Sequence, residues 1–196
     1  MNKANFLRLS LLVAFLGTRV IAYDYSTWKY SDFAELGMEY AGAHNDSQAL
    51  FYFDKAVQAD PKNPESYVNR GAVLIRMGRL DKGTEDEKQA LTLAGSGSAD
   101  DKRIQAYAHQ NLGKVYQKNK QIKQAEKELR AAANLRGEDP VILEDLADVL
   151  AAEGNAEEPI ALLQKAQTSY RTQKNENNVA ALEVKIGNLR QRAPRK

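Results

Sequence analysis

The sequence predicts an all-α fold built from stacked antiparallel helix hairpins. Bulky and small residues recur in the same order at intervals of 34 residues, with one longer step of 42, and the bulky ones fall three and four positions apart, the spacing of one helix face. Proline marks the joints between hairpins, as in Asp60-Pro61 and Asp139-Pro140. Because one hairpin cannot bury its apolar face alone, we expect the copies to stack on one another.

The repeated pattern is clearest in its first copy, residues 30–63. An aromatic residue is followed at fixed spacing by leucine, glycine and tyrosine, and then by alanine, phenylalanine, alanine and a closing proline. These residues are Phe33, Leu36, Gly37, Tyr40, Ala49, Phe53, Ala56 and Pro61. The pattern resembles the tetratricopeptide repeat at every signature position, and this resemblance implies a right-handed superhelix.

Three further copies follow, at residues 64–97, 106–139 and 140–173. Their matching residues are Tyr67, Gly71, Leu74, Gly83 and Ala90, then Ala106, His109, Leu112, Gly113, Tyr116, Ala125, Leu129 and Ala132, and finally Leu143, Leu146, Ala147, Leu150, Pro159, Leu163 and Ala166. The second copy departs from the pattern, since Arg70 replaces the leucine and Glu87 replaces the bulky residue of the second helix. The glycine or alanine of each first helix is expected where two helices cross closely.

The regions outside the copies have their own predicted roles. Residues 98–105 are an insertion, which we interpret as a longer loop with an early start to the following helix, and a flexible hinge is the alternative. Residues 174–192 are predicted to form a capping helix, and residues 193–196 a basic tail. The apolar residues of the capping helix are Val179, Leu182, Ile186 and Leu189, with Ala181 and Val184 broadening the same face.

The N-terminus reads as an export signal covering residues 1–22. Lys3 and Arg8 precede a short apolar stretch, and Ala22 ends a cleavage-site pattern of small or apolar residues. The alternative is an uncleaved anchor, but Arg19 interrupts the apolar stretch before the roughly 20 residues needed to span a bilayer. The expected location is therefore exported, periplasmic or extracellular, with no stable membrane span after cleavage.

Charge and composition exclude several classes of protein. Removing residues 1–22 takes away three of the 28 basic residues and none of the 26 acidic ones, which changes the formal net charge from +2 to −1. Without a positive net charge, nucleic-acid binding has little electrostatic support. The chain has no cysteine, so it contains no disulfide, thiol nucleophile or thiolate metal site.

The segment 23–29 and the residue after it are rich in aromatic side chains, namely Tyr23, Tyr25, Trp28 and Tyr30. They directly precede a hairpin that has no upstream neighbour. Packing onto the first helix is the favoured interpretation, and a docking segment for a partner is the alternative.

The sequence predicts no enzyme, cofactor or metal site. Its two histidines, His44 and His109, have no ligand-like neighbour at helical spacing. The run Glu85-Asp86-Glu87 is interpreted as a solvated acidic face, because consecutive helical residues point in different directions.

The resemblance implies that the first helix of each hairpin lines a concave groove. The residues predicted to face a partner there are Asn69, Arg76, Tyr107, Gln110, Asn111, Lys114, Lys118, Glu144, Asp145 and Asp148. In several peptide-binding members of the family, asparagines at the positions of Asn69 and Asn111 bind a peptide backbone. The alternative is a pair of surface asparagines that only aid solubility. Lys114 and Lys118 favour a partner with an acidic segment.

The resemblance does not extend to the family's carboxylate clamp, which grips chaperone C-termini. Ala34, Met38, Tyr107 and Asn111 stand at four of the clamp positions, and only Asn69 matches. Three functions therefore remain open: an exported scaffold binding a protein or peptide, such as an adaptor in cell-envelope assembly or secretion; a self-associating structural element, hence a homo-oligomer; and an accessory of polysaccharide export.

Overall fold

The computed structural model describes residues 25–154 and 156–192. Over these residues it contains nine α-helices and no β-strand, which confirms the predicted all-α fold. The helices are α1 Tyr30–Gly42, α2 Asp46–Ala59, α3 Pro64–Arg76, α4 Leu80–Leu93, α5 Ala99–Lys118, α6 Ile122–Leu135, α7 Pro140–Ala151, α8 Glu157–Thr172 and α9 Glu176–Arg192. The predicted signal (1–22), Tyr23 and the tail (193–196) lie outside the described residues.

Local sequence explains where the helices begin and turn. Pro64 and Pro140 occupy the first turns of α3 and α7, where no intrahelical N–H bond is lost. The preceding residues, Asn63 and Asp139, accept hydrogen bonds from backbone N–H groups of those first turns. The tight turns after α1, α3, α5, α7 and α8 each contain one residue with positive φ. These are His44, Gly78, Lys120, Gly154 and Lys174.

The small residues of the repeat lie where the two helices of a hairpin cross. A Cβ atom at Gly37 would lie 2.5 Å from Cε1 of Phe53, and one at Gly113 would lie 2.6 Å from Cγ of Leu129. Both distances are shorter than a van der Waals contact, so a larger residue would force the helices apart. The repeat spacing thus brings one small residue and one bulky residue into contact in each of these hairpins.

The hairpins α1–α2, α3–α4, α5–α6 and α7–α8 stack in chain order. Successive first helices contact one another, α1 with α3, α3 with α5 and α5 with α7, and each second helix also packs on the next first helix. We call the surface formed by α1, α3, α5 and α7 the inner face. The residues predicted to line a groove belong to these helices.

The insertion is helical rather than an extended loop. Residues 99–105 form the first turns of α5, and the connection from α4 is only residues 94–98. Ser98 Oγ accepts from the backbone N–H of Asp101, and the Asp101 carboxylate accepts from the N–H of Ser98. This reciprocal capping box explains why the helix starts early.

The two ends of the array are covered differently. Tyr25 and Trp28 pack against Phe33 of α1, with ring centroids 5.5 Å and 5.1 Å from it. In α9, Val179, Leu182 and Ile186 pack against α8. The prediction that Ala181 and Val184 broaden this buried face is wrong, because Ala181 is exposed and Val184 is 65% exposed.

Candidate peptide-binding face

The residues predicted to meet a partner lie on the helices of the inner face, but several already have partners within the protein. Arg76, at the end of α3, pairs with Asp46 of α2, and its guanidinium also donates to the carbonyl oxygen of Ala41 at 3.4 Å. Arg76 therefore joins the first two hairpins, and the pKa of Asp46 is lowered chiefly by the hydrogen bond from Arg76.

Basic and acidic side chains among the predicted groove residues partly neutralise each other. Lys114 Nζ of α5 lies 3.0 Å from Asp145 Oδ2 of α7. Gln110 Nε2 donates to the same carboxylate oxygen. Gln110 is 6% exposed, so the prediction that it faces a partner is wrong. The sequence could not reveal this pairing, because it depends on how far α5 and α7 are offset along their axes.

Other predicted groove residues are also engaged. Tyr170 of α8 donates its hydroxyl to Glu144 at 2.7 Å, and Lys185 of α9 lies 2.6 Å from Asp148. Burial, with the contact to Glu144, raises the pKa of Tyr170 well above its usual range. Arg136 donates to the Tyr107 hydroxyl at 3.1 Å. These contacts tie α7 to α8 and α9, and α5 to the connection after α6.

Lys118 is an exposed cation among the predicted groove residues. Its ammonium donates to the carbonyl oxygen of Ile75 at 3.2 Å, near the end of α3. A cation near the C-terminus of a helix is favoured by the helix dipole. No carboxylate pairs with Lys118 in the part of the chain that the structure describes.

The two predicted asparagines lie on neighbouring inner helices, Asn69 on α3 and Asn111 on α5. Asn111 Nδ2 donates to Glu87 Oε1 at 2.8 Å. Asn69 Nδ2 is buried without a hydrogen-bond partner. Both amide nitrogens thus point toward the protein interior. The side-chain oxygens of Asn69 and Asn111 are not buried. Neither oxygen accepts a hydrogen bond from a described residue.

Sequence reasoning missed Glu87 as part of this site. The interpretation of Glu85-Asp86-Glu87 as a solvated face is wrong, because Asp86 is 6% and Glu87 0% exposed, while Glu85 is exposed. The available signal was the repeat itself, which places Glu87 at the core position of Phe53, Leu129 and Leu163.

Arg70 replaces the leucine of the repeat in the second copy, and it pairs with the carboxylate of Asp86 rather than with that of Glu87. It binds Asp86 with two hydrogen bonds of 2.7 Å and reaches Asp54 of α2 at 2.9 Å. The hydrogen bond to Asp86 is the main reason that the pKa of Arg70 is raised. Arg70 therefore links α2, α3 and α4 without contacting Glu87.

The remaining polar pairs show no arrangement for metal binding. His109 Nδ1 lies 2.7 Å from Glu128 Oε2 of α6, so His109 has a carboxylate neighbour that the sequence did not predict. Within residues 25–154 and 156–192, no three or more histidine, cysteine, aspartate or glutamate side chains are grouped to hold a metal ion. None of the helices in these ranges is long and apolar enough to cross a membrane.

Two tetratricopeptide repeat models match the chain, one at residues 52–85 and one at residues 106–139. The first match starts in α2 and ends in α4, so it spans the junction of the first two hairpins. The second covers the same residues as the third copy of the sequence pattern. The protein therefore has an all-α helical-repeat fold, and two of its segments match tetratricopeptide repeat models.

A curated relative is the protein STIP1 homolog of Dictyostelium discoideum, which is 35% identical over 85 residues. The match covers 43% of this chain but only 15% of that protein. The similarity is thus confined to a small part of the relative.

Solved structures share the fold at low sequence identity. The APC/C hetero-tetramer Cut9-Hcn1 matches with a TM-score of 0.63 at 16% identity, over 93% of this chain and 36% of that one. A MamA RS-1 double mutant matches with a TM-score of 0.58 at 18% identity, over 87% and 86% of the two chains. The first TPR of Spaghetti (RPAP3), bound to the HSP90 peptide SRMEEVD, matches with a TM-score of 0.55 at 20% identity, over 69% and 99%.

Proposed function

We propose that this protein is an exported scaffold that binds a protein or peptide partner on its inner face, as an adaptor in cell-envelope assembly or secretion. Its partner presents an extended segment with acidic side chains. The compartment rests on the signal pattern of residues 1–22, and the binding role rests on the inner face.

The observation that carries the binding role is the set of available polar groups on α3 and α5. The side-chain oxygens of Asn69 and Asn111 have no donor among the described residues, and Lys118 lies seven residues after Asn111 on the same helix. Seven residues are about two helical turns, so both side chains lie on one side of α5. An extended peptide can then donate to Asn111 while one of its carboxylates approaches Lys118.

A peptide segment with acidic side chains fits this surface better than a peptide bound through its C-terminal carboxylate. The peptide in the Spaghetti complex, SRMEEVD, contains three acidic residues. At the clamp positions of this chain, however, Ala34 is buried and Met38 is apolar and 51% exposed. We therefore expect carboxylate side chains along the segment, rather than its terminal carboxylate, to provide the attraction.

The binding role is tested with a fluorescein-labelled, C-terminally amidated peptide of alternating glutamate and alanine. Lys118→Glu reverses the charge on the inner face, and we expect its dissociation constant to rise by about two- to fivefold, the range for a partly exposed charge contact. Lys127→Glu reverses an exposed lysine on α6 and is the matched control. Equal affinities for wild type and Lys118→Glu would contradict the proposal. Lys114 is left unchanged because its reversal would also break the pair with Asp145.

Self-association is a second candidate, favoured by the outer side of α9. Val184 is 65% exposed there, between the exposed Ala180, Ala181 and Asn188. Sedimentation of residues 23–196 would detect a dimer, and Val184→Glu should then give monomers because it places a charge in the interface. A monomer over the whole concentration range removes this candidate.

A further inference from the structure

Glu87 occupies a core position that the other hairpins fill with apolar residues. Phe53, Leu129 and Leu163 stand at the equivalent position of their second helices and are buried. Phe53 and Leu129 contact the small residue of the first helix, and Glu87 makes the same contact, since a Cβ at Gly71 would lie 2.5 Å from Glu87 Oε1. The carboxyl group is thus built into the packing of the second hairpin.

Among the described residues, no cation forms an ion pair with this carboxyl group. Arg70, in the same hairpin, donates its hydrogen bonds to Asp86 and Asp54. Glu87 Oε2 is buried and has no hydrogen-bond partner among the described residues. Burying a polar group without a partner is unfavourable, so leucine at this position would make the array more stable.

The polar contact that Glu87 does make leads to the inner face. Its Oε1 accepts from Asn111 Nδ2 at 2.8 Å, across from α4 to α5. A carboxyl oxygen can accept this hydrogen bond whether the group is ionised or has its proton on Oε2. Since the amide nitrogen is held inward, the Asn111 oxygen is directed away from Glu87, and it is not buried.

We propose that Glu87 is a positioning residue that fixes the Asn111 amide with its oxygen toward the partner. The middle of the inner face then accepts hydrogen bonds from backbone N–H groups of an extended peptide. It disfavours a terminal carboxylate at this point, because an amide oxygen and a carboxylate are both acceptors. This inference rests on the proposed function, since it specifies how the same face recognises its ligand.

The test combines stability and affinity in one variant. Glu87→Leu installs the residue found in the third and fourth hairpins, so we expect a higher melting temperature than in wild type. We also expect its affinity for the amidated glutamate–alanine peptide to fall by about tenfold, because Asn111 loses its fixed orientation. Glu87→Gln, which keeps an acceptor oxygen for Asn111, should retain most of the affinity. A purely structural role for Glu87 would change stability without this loss.

The chemistry of the ligand gives an independent readout. A peptide whose amide links are replaced by esters lacks N–H donors, and wild type should bind it at least tenfold more weakly than the amide peptide. In Glu87→Leu the difference between the two peptides should shrink, because the side chain of Asn111 can then rotate. An unchanged affinity in Glu87→Leu, or equal binding of ester and amide peptides by wild type, would overturn the inference.

The side-chain amide of Asn111 can also be observed without a ligand by NMR. In wild type, one of its two amide protons should exchange slowly with solvent, and in Glu87→Leu both should exchange rapidly. Rapid exchange in wild type would overturn the positioning role of Glu87. Slow exchange in a wild type that binds no peptide would support the positioning of Asn111 and count against the proposed function alone.

Discussion

At the scale of single residues, the small side chains of the repeat act by allowing close helix crossings. Gly113 and Gly37 lie within contact distance of the bulky residues that follow them by sixteen positions, Leu129 and Phe53. This pairing was predictable from sequence, because both residues belong to one repeating unit with one geometry. The partners of Asn111 and Lys114 were not predictable, because they lie in neighbouring hairpins whose relative offset the repeat pattern does not specify.

Replacing Gly113 should destabilise the protein strongly. In Gly113→Leu the new side chain would collide with Leu129, whose Cγ is 2.6 Å from the position of an added Cβ. Overpacking of this kind costs about 1–3 kcal/mol or more in the free energy of unfolding. Glu85→Leu, on an exposed position of α4, should change it by less than about 0.5 kcal/mol. Urea unfolding followed by circular dichroism measures both, and equal losses would contradict the packing described here.

Glu87 should make stability depend on pH. Burial raises the pKa of Glu87 well above its usual range, the hydrogen bond from Asn111 opposes this rise, and the charge of Asp86 adds to it. In the unfolded chain the group ionises near its ordinary pKa of about 4.3. The contribution of Glu87 to the free energy of unfolding is therefore most favourable below about pH 4.3. It is lost as the pH rises toward the pKa of Glu87 in the folded protein.

Comparison with Glu87→Leu isolates this effect. The free energy of unfolding of the variant should exceed that of wild type by an amount that grows as pH is raised from about 4 to 7. Only wild type contains a carboxyl group that ionises freely when unfolded but is costly to ionise when buried. Urea unfolding of both proteins at a series of pH values gives the difference. A difference that stays constant across this range would mean that Glu87 titrates normally in the folded protein.

At the scale of secondary structure, α5 shows where the repeat pattern gives incomplete information. The repeated residue pattern predicts its central residues, but its first turns come from outside the repeat. Ser98 and Asp101 form the capping box that starts the helix at Ala99. The sequence contained these residues, but choosing a helix over a loop there depends on packing: Ile104 is buried against Val68 and Ala90.

Removing the cap should therefore weaken α5 at its start. Ser98→Ala removes the hydroxyl that accepts from the N–H of Asp101, which should reduce the free energy of unfolding by about 1 kcal/mol. Ser96→Ala changes an exposed serine of the same connection and should have almost no effect. Thermal unfolding of the two variants distinguishes them, and a loss in Ser96→Ala as large as in Ser98→Ala would argue against the cap.

At the scale of the whole molecule, ion pairs and hydrogen bonds connect hairpins that the apolar core also joins. Arg70 links the first and second hairpins, Lys114 the third and fourth, and Lys185 joins α9 to α7. The stacked architecture follows from the repeat alone, whereas these connections emerge only when the helices are placed side by side. Among the predicted groove residues that the structure describes, Lys118 and the side-chain oxygens of Asn69 and Asn111 are not engaged by a carboxylate or a donor.

Export is a property of the whole chain and has its own test. We expect the exported protein to begin at or near Tyr23, because the cleavage pattern ends at Ala22. N-terminal sequencing of protein recovered from the cell envelope or medium would establish the first residue. Recovery of the full-length chain from the cytosol would contradict the proposed compartment.

NMR mapping of the binding surface would show whether the inner face binds an extended acidic peptide. Isotope-labelled protein comprising residues 23–196 is titrated with the amidated glutamate–alanine peptide, and shifts of backbone and side-chain amide signals are recorded. We expect the largest shifts at Asn69, Asn111 and Lys118, with little change in the outer helices α2, α4 and α6. Shifts confined to residues 25–30 or to α9, or no shifts at all at saturating peptide, would contradict this expectation.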